Sequence, residues 1–265
     1  MGLAGGAGLM ALRCVYTDVD GTLLGPDASL FHDAGGRFTL LAARALEACH
    51  RAGCEVMLMS GRRRVQVAED ARLIGHTAYC FEVGGGLVID GEQSWLCGEL
   101  DPRDGLTPWE LIERSGAPAL LLEAHAGELE HHAPWHRDRE VSHLFRGRID
   151  LARARALLER EGHALRLVDN GGLPDGRRVY HLLPAAASKH AAVAAHMRAR
   201  GYAAGECIAV GDSREDLGVA ELVARFFLVA NADADDAGAT RTEAGHGDGF
   251  YEAVVRSLTE LRGGA

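Results

Sequence analysis

Residues 13–24 read RCVYTDVDGTLL, an apolar run that ends in two aspartates and a Gly-Thr turn. Short apolar runs closed by turn residues are typical of buried strands in a sheet. Asp18 and Asp20 stand two residues apart, so in an extended segment both carboxylates can point into one site, and Gly21 permits a tight turn after them. The stretch predicts a strand end with paired carboxylates, although an ordinary strand end with turn-forming residues gives the same pattern.

The same arrangement recurs twice further along the chain. CEVMLMSGR, residues 54–62, and CIAVGDS, residues 207–213, are also apolar runs that end in polar residues, and helical patterns alternate with them. This alternation predicts an α/β fold with a Rossmann-like parallel sheet. Ligands of open parallel sheets bind outside the carboxyl ends of the strands, so the three polar clusters are expected to meet in one crevice.

The middle of the chain differs in character, being richer in His, Trp, Arg and Pro. It contains a confident helical pattern, RIDLARARALLEREGH, and two strand-like runs around a glycine-rich turn. We therefore predict an inserted α+β cap domain over residues 85–184. Residues 1–84 and 185–265 then form the α/β core, with residues 1–12 as a loose tail.

Composition excludes several classes of protein. The net charge is −10 and the pI is about 5.7, whereas a general nucleic-acid binder needs a basic face. The six cysteines are scattered without a C-x-x-C pair, which favours reduced thiols and a cytoplasmic location. No secretory leader or membrane span is predicted, and we expect a small-molecule partner rather than a nucleic acid or a membrane, with the chain a monomer or homodimer.

The predicted crevice collects carboxylates that suit a magnesium ion. Asp212 and Asp216 lie four residues apart around a loop that opens a helix, and Asp18 joins them. Mg²⁺ prefers such oxygen ligands together with waters and a substrate phosphate. Asp216 alone could equally be a favourable partner of the helix dipole. Ser60 and Gly61 offer a hydroxyl and free backbone N–H groups, which form a natural phosphate cradle.

Lys189 is the only lysine in the chain, and the other 27 of the 28 basic residues are arginine. Lysine provides a compact point charge where arginine provides a broad fork, so a crowded anionic site can require it. Chance survival of one lysine is the alternative. Lys189 follows a helix-starting Ser188 and precedes the GDS loop by one helix and one strand, which predicts a place near the same crevice.

Four stretches resemble, in order, the signature motifs of the haloacid dehalogenase superfamily: DVDGTLL, MSGR, the single lysine and GDSREDL. The resemblance implies a phosphatase that forms an aspartyl phosphate on Asp18, with Asp20 as acid and then base. It further implies that Ser60 and Lys189 bind the phosphoryl group. Mg²⁺ would be held by Asp18, the main-chain carbonyl of Asp20, Asp212 and, directly or through water, Asp216.

The size of the insert resembles the cap of the Cof-like branch, subfamily IIB. Within that branch, FEVGGGLVI is similar to the ENGGG stretch of mannosyl-3-phosphoglycerate phosphatases, with Val83 in place of Asn. The implied substrate is a sugar phosphate or a glycosyl-phosphoglycerate. We expect Gly21, Gly61, Arg62 and His181 to contact the substrate or its phosphate. Glu215 stands where many members carry Asn, and we expect it to tune the metal shell.

Two alternatives to a phosphatase remain. A phosphomannomutase-like enzyme would use the same aspartyl phosphate, and a catalytically silent sugar-phosphate sensor would only bind. In the insert, His131, His132 and His136 cluster around Trp135 and could form a second metal site or a sugar platform. A solvated loop is the interpretation that we favour for these histidines.

Overall fold

The computed structural model describes residues 11–263. The tail predicted for residues 1–12 lies largely outside this range, and within it Leu12 is buried. The strands are β1 (Cys14–Asp18), β2 (Glu55–Met59), β3 (Tyr79–Phe81), β4 (Gly86–Ile89), β5 (Glu92–Trp95), β6 (Leu129–His131), β7 (His143–Gly147), β8 (Leu165–Gly172), β9 (Arg178–Pro184), β10 (Cys207–Gly211), β11 (Arg225–Leu228) and β12 (Thr240–Arg241).

In the large sheet, helices connect the parallel strands as the apolar patterns predict. The helices are α1 (Leu41–Arg51), α2 (Arg64–Leu73), α3 (Pro108–Arg114), α4 (Ala117–Ala124), α5 (Leu151–Arg160), α6 (Lys189–Arg200), α7 (Arg214–Leu217) and α8 (His246–Gly263). Of these, α3 and α4 of the middle segment were not predicted. None of the helices within residues 11–263 combines the length and apolar content needed to cross a membrane.

A large sheet has the strand order β12-β11-β10-β1-β2-β3-β4-β5. Its strands from β12 to β3 pair in parallel, and β4 and β5 continue it as an antiparallel hairpin. Helices α1, α2 and α8 pack on one face and α6 on the other, so the central strands are buried on both sides. The predicted α/β fold with a parallel sheet is thereby confirmed.

A small antiparallel sheet has the order β6-β7-β9-β8 and carries helices α3, α4 and α5. Its core combines Ile112 and Leu121 from α3 and α4 with Leu158 from α5, and these side chains pack against Phe145 and Tyr180 of the sheet. The two strand-like runs predicted in the insert are β8 and β9. They pair antiparallel and are connected by the glycine-rich turn.

Two elements differ from the sequence predictions. The hairpin β4–β5, with its turn at Asp90-Gly91, falls in the predicted insert but pairs with β3 of the large sheet, because an antiparallel hairpin can extend a sheet edge directly. The apolar spacing of REDLGVAELV, residues 214–223, predicts one helix, but the structure has only the short α7, followed by a 3₁₀ turn over Ala220–Leu222. Gly218 directly follows α7, and glycine disfavours continuation of a helix.

Candidate active site

The carboxyl ends of β10, β1 and β2 lie side by side, because these strands are neighbours in the large sheet. This brings Asp212, Asp18 and Ser60 to one edge, as the sequence predicts. A cavity of about 370 Å³ opens there, and its lining comes from both sheets: Asp18, Asp20, Gly21, Gly61, Asn170, Gly171, Gly172, Lys189, Asp212, Ser213, Asn231 and Asp233.

Lys189 reaches this edge as the first residue of α6. The hydroxyl of Ser188 caps the helix by accepting from the N–H of Ala191. The start of this helix packs closely against Gly84. A Cβ at position 84 would lie 2.1 Å from the carbonyl oxygen of Ser188, so glycine, which has no Cβ, permits the approach. The Lys189 ammonium, only 3% exposed, donates to Oδ1 of Asp18 at 2.5 Å and to Oδ1 of Asp216 at 2.6 Å.

Asp216 is fixed by the loop that precedes α7. Its Oδ2 accepts from the N–H groups of Asp212 and Ser213 at 3.2 and 3.1 Å, and from the hydroxyl of Ser213 at 2.6 Å. Gly21 lets the loop after β1 approach closely, because a Cβ at its φ of +87° would lie 2.2 Å from Oδ2 of Asp212. Asp18, Asp212 and Asp216 can each place a carboxylate oxygen within 4.8 Å of the other two.

The charges at this edge are unbalanced among the described side chains. Burial alone would lower the pKa of Lys189, but the Asp18 and Asp216 carboxylates outweigh it and raise the pKa well above the ordinary value. Burial, followed by repulsion from Asp216, raises the pKa of Asp212 to about 7. Three carboxylates thus surround one ammonium, and the excess negative charge suits an added cation.

Asp20 points away from this trio and binds Arg62. Both of its carboxylate oxygens accept from the guanidinium, at 2.7 Å from Nε and 2.5 Å from Nη2, and Arg62 also binds Asp70 at 2.8 Å. The Asp20 side chain is 56% exposed, so its carboxylate remains in contact with solvent. Arg62 therefore contacts a predicted catalytic carboxylate, whereas the sequence suggested contact with the phosphate itself.

Ser60 and His181 lie beside the cavity and are almost fully buried. The Ser60 hydroxyl accepts from the N–H of Arg62 at 3.1 Å. His181 shares a hydrogen bond with the Ser142 hydroxyl at 3.0 Å, and its Nε2 faces Gly61. Burial, then the nearby Arg139 and Lys189, lower the pKa of His181 well below its usual value, so the ring is neutral.

Five lining residues were missed by the sequence analysis: Asn170, Gly171, Gly172, Asn231 and Asp233. Asn231 and Asp233 follow β11, a further strand end of the same sheet, and Asn231 donates to the carbonyl of Gly21 at 2.9 Å. The strand-end rule could have found both. The Asn-Gly-Gly stretch lies at a register shift of β8, where nothing in the local pattern indicates which neighbour it meets.

The sequence departs from the family motifs at Glu215 and Val83, and the structure shows the surroundings of both residues. The carboxylate of Glu215 pairs with Arg166 of β8 and is not among the acidic group that could hold a metal. The Glu215 carboxylate is thus directed to the small sheet, and its effect on the metal shell stays a prediction. Val83, at the position of the Asn, has φ 60° and ψ 34°, a left-handed conformation that Asn tolerates better than a β-branched residue.

Two of the insert histidines, His131 and His136, form an aromatic stack with Phe145 on the small sheet. The His131 ring stacks on His136 at 5.1 Å and on Phe145 at 5.2 Å between ring centroids. Trp135 beside them is 49% exposed. Within the described side chains, these histidines do not form a group with the spacing of metal ligands.

Comparison with known proteins gives consistent relatives. No protein-family model matches the chain. It is 30% identical over 259 residues to a phosphoglycolate phosphatase of Methanoculleus marisnigri, covering 92% of this chain and 96% of that protein. Its fold is similar to the sucrose-phosphatase of Synechocystis, with a TM-score of 0.68 at 16% identity over 94% and 99% of the two chains. A haloacid dehalogenase-like hydrolase of Bacteroides thetaiotaomicron gives 0.63 at 16% identity, over 92% and 99%.

Proposed function

The chain belongs to the haloacid dehalogenase superfamily and is a phosphatase, and on that premise we propose that it hydrolyses small phosphate monoesters with Asp18 as nucleophile and Mg²⁺ as cofactor. The observation that carries the proposal is the buried ammonium of Lys189, bound at once to Asp18 and Asp216 at the edge of the parallel sheet. A lysine held this way orients one carboxylate and leaves a positive charge beside an incoming phosphoryl group.

The donor set supports magnesium. Asp18, Asp212 and Asp216 supply only oxygen atoms, they lie close together, and their combined charge exceeds that of Lys189. We propose that these residues, with the main-chain carbonyl of Asp20, hold the ion. When bound, Mg²⁺ supplies positive charge that offsets the phosphoryl oxygens and keeps the carboxylates ionised.

The side chains support a two-step transfer. An oxygen of Asp18 forms a bond to phosphorus while the bond from phosphorus to the ester oxygen breaks, and Asp20 gives its proton to that oxygen. A water oxygen then attacks phosphorus, the bond to Asp18 breaks, and Asp20 takes the proton of the water. Arg62 grips both oxygens of Asp20 and so orients it, while the exposure of Asp20 allows proton exchange with solvent.

We also propose that the small sheet acts as a cap over this site. Asn170, Gly171 and Gly172 reach from β8 to line the cavity together with the catalytic loops. The boundary at residue 85 moves in this proposal, since β4 and β5 pair with the large sheet. A cap of this kind confines the leaving group and limits the access of bulk solvent to the site.

For the substrate, we propose 2-phosphoglycolate first. The relative that aligns along nearly its whole length is a phosphoglycolate phosphatase, and a cavity of about 370 Å³ suits a small molecule. Sugar phosphates and glycosyl-phosphoglycerates, which the sequence motifs favoured, come second. The phosphomutase and the silent sensor are the remaining alternatives.

The test is phosphate release from a panel of monoesters, with Mg²⁺ and with EDTA, for the wild type and for Asp18→Asn. The panel contains phosphoglycolate, mannosyl-3-phosphoglycerate, hexose phosphates and sucrose 6-phosphate. We expect magnesium-dependent release that is highest with phosphoglycolate and falls by about a thousandfold or more in the variant. Interconversion of hexose 1- and 6-phosphates without release would favour the mutase. Binding without turnover would favour the sensor.

A further inference from the structure

Two ion pairs connect the small sheet to the loops of the large sheet at the cavity. Arg166 of β8 binds Glu215 of α7, and Arg178 of β9 donates to Oδ2 of Asp233 at 3.1 Å. We call these two contacts the docking pairs. The guanidinium of Arg178 is also held by Asp169 of its own sheet. In both docking pairs the cation comes from the small sheet and the anion from the large one.

The docking pairs flank the segment of the small sheet that lines the cavity. Arg166 precedes residues 169–172 and Arg178 follows them, and Asn170, Gly171 and Gly172 lie between the two contacts. This segment contains the register shift of β8, so the regular ladder of the sheet does not fix it. This segment is held by Asp169, which binds Arg178 and accepts from the N–H of Gly171, and by the contact of Arg178 with Asp233 of the opposite loop.

A second cavity of about 550 Å³ adjoins the first and shares Gly171, Ser213 and Asp233 with it. Arg178 and Glu215 line this second cavity. Both docking pairs thus contribute a side chain to the lining of the larger cavity, and Asp233 lines both cavities. A phosphate monoester with a large leaving group would need that additional space.

The burial of the pair formed by Glu215 makes it more than a surface contact. The Glu215 side chain is 12% exposed and that of Arg166 is 30% exposed, so solvent screens their attraction only in part. Glu215 adjoins Asp216 in sequence, yet its carboxylate turns to the small sheet and away from the carboxylate trio. Its function is therefore sought in the contact with Arg166.

We propose that Glu215 and Asp233 are positioning residues that dock the cap, hold residues 169–172 over Asp18 and restrict the site to small leaving groups; this inference rests on the proposed function. If a substrate binds only the docked state, its apparent dissociation constant is the intrinsic constant divided by the docked fraction. Undocking therefore weakens the apparent binding. The docking pairs raise the docked fraction, and they act on binding of the substrate rather than on the chemical step.

The test compares Glu215→Gln, Asp233→Asn and the double variant with Glu130→Gln. Glu130 forms ion pairs with Arg146 at 2.7 Å and with Arg177 at 2.6 Å inside the small sheet, so the control removes a carboxylate charge whose pairs do not join the two sheets. We expect each docking variant to raise KM for phosphoglycolate about fivefold with kcat nearly unchanged. The ratio of kcat/KM for sucrose 6-phosphate to that for phosphoglycolate should rise, and Glu130→Gln should leave both constants unchanged.

Charge reversal and hydrogen exchange separate docking from loss of the fold. The single variant Glu215→Arg should raise KM further, and combining it with Arg166→Glu should restore KM towards the wild-type value. Amide hydrogen exchange over residues 165–172 should be faster in Glu215→Gln and unchanged in Glu130→Gln. This measurement needs no substrate and therefore tests docking even if no monoester is hydrolysed.

Wild-type KM, wild-type selectivity and unchanged exchange in the double variant would overturn the inference while leaving the phosphatase intact. A loss of kcat with unchanged KM would also overturn it, because Glu215 and Asp233 would then act on the chemical step. Absence of phosphate release by the wild type would instead contradict the proposed function.

Discussion

The two ends of helix α6 bind anionic side chains in very different ways. At the first residue, the buried ammonium of Lys189 contacts Asp18 and Asp216 at 2.5 and 2.6 Å. At the last residue, the Arg200 guanidinium, 25% exposed, contacts Glu55 at 2.9 Å and Asp90 at 2.6 Å. One helix therefore places a cation near the carboxyl end of β1 and another near the amino end of β2.

The difference lies in how completely the carboxylates are compensated. Burial alone would raise the pKa of Glu55, but the nearby His196 ring, 3.4 Å away, and hydrogen bonds from Arg200 and Tyr202 outweigh it and lower the pKa to about 2. At the other edge the pKa of Asp212 is instead raised to about 7 by burial and by Asp216. At the Arg200 end the Glu55 carboxylate is paired with side chains of the fold, whereas the Lys189 end keeps an excess of negative charge that a cation can offset. We infer that the Arg200 end of the helix serves stability and the Lys189 end serves binding.

Among substitutions that test this comparison, the largest effect is expected for Lys189→Arg. The planar guanidinium is too broad for a position that is 3% exposed and touched by two carboxylates, so it cannot reproduce both contacts. We expect phosphatase activity to fall by about a hundredfold or more, measured as release of phosphate at saturating Mg²⁺. Activity within twofold of the wild type would show that any cation suffices there.

A smaller and different effect is expected for Glu55→Gln. The variant loses an ionic partner of Arg200 and His196 but no group at the cavity, so kcat/KM should not change. The free energy of unfolding at pH 7 should fall by about 1–2 kcal/mol, measured by urea denaturation. Equal stability of the two proteins would mean that this edge contributes nothing through the charge of Glu55.

The same variant has a predictable pH dependence. Because the pKa of Glu55 is lowered in the folded state, from 4.5 to about 2, its ionised form stabilises the fold above about pH 4.5. That contribution is lost as the pH falls from 4.5 towards 2. The stability difference between wild type and Glu55→Gln should therefore shrink across this window, and a constant difference would contradict the assigned cause.

The sequence predicted the strand ends of the site because each is a local pattern. Asp18, Ser60 and Asp212 each close an apolar run, and parallel pairing of β10, β1 and β2 brings such ends together whatever lies between them. The single lysine was predicted for the same reason, since it starts the helix that follows the insert. The α/β fold could thus be predicted from periodicity and strand-end chemistry.

The remaining features depend on contacts between distant segments. Arg62 follows the phosphate cradle in sequence, but its guanidinium is directed by Asp20 and Asp70. The direction of the Glu215 side chain is set by its ion pair with Arg166, which belongs to the small sheet. The β4–β5 hairpin has a recognisable Asp90-Gly91 turn, yet a hairpin pattern does not specify which sheet edge it extends. Side-chain direction and sheet membership are properties of the packed chain, so local patterns could not predict them.

The smallest effect is expected for Arg200→Lys, the reciprocal of the substitution at the other end of α6. Arg200 is partly exposed, and a lysine ammonium can still reach one of its two carboxylates, so only part of the interaction is lost. We expect the free energy of unfolding to fall by less than about 1 kcal/mol, with kcat unchanged, measured by urea denaturation and phosphate release. If Arg200→Lys reduced activity as much as Lys189→Arg, the two ends of α6 would not be functionally distinct. If it left both stability and activity unchanged while Glu55→Gln was destabilising, the contacts from His196 and Tyr202 would carry the stabilising effect at this edge.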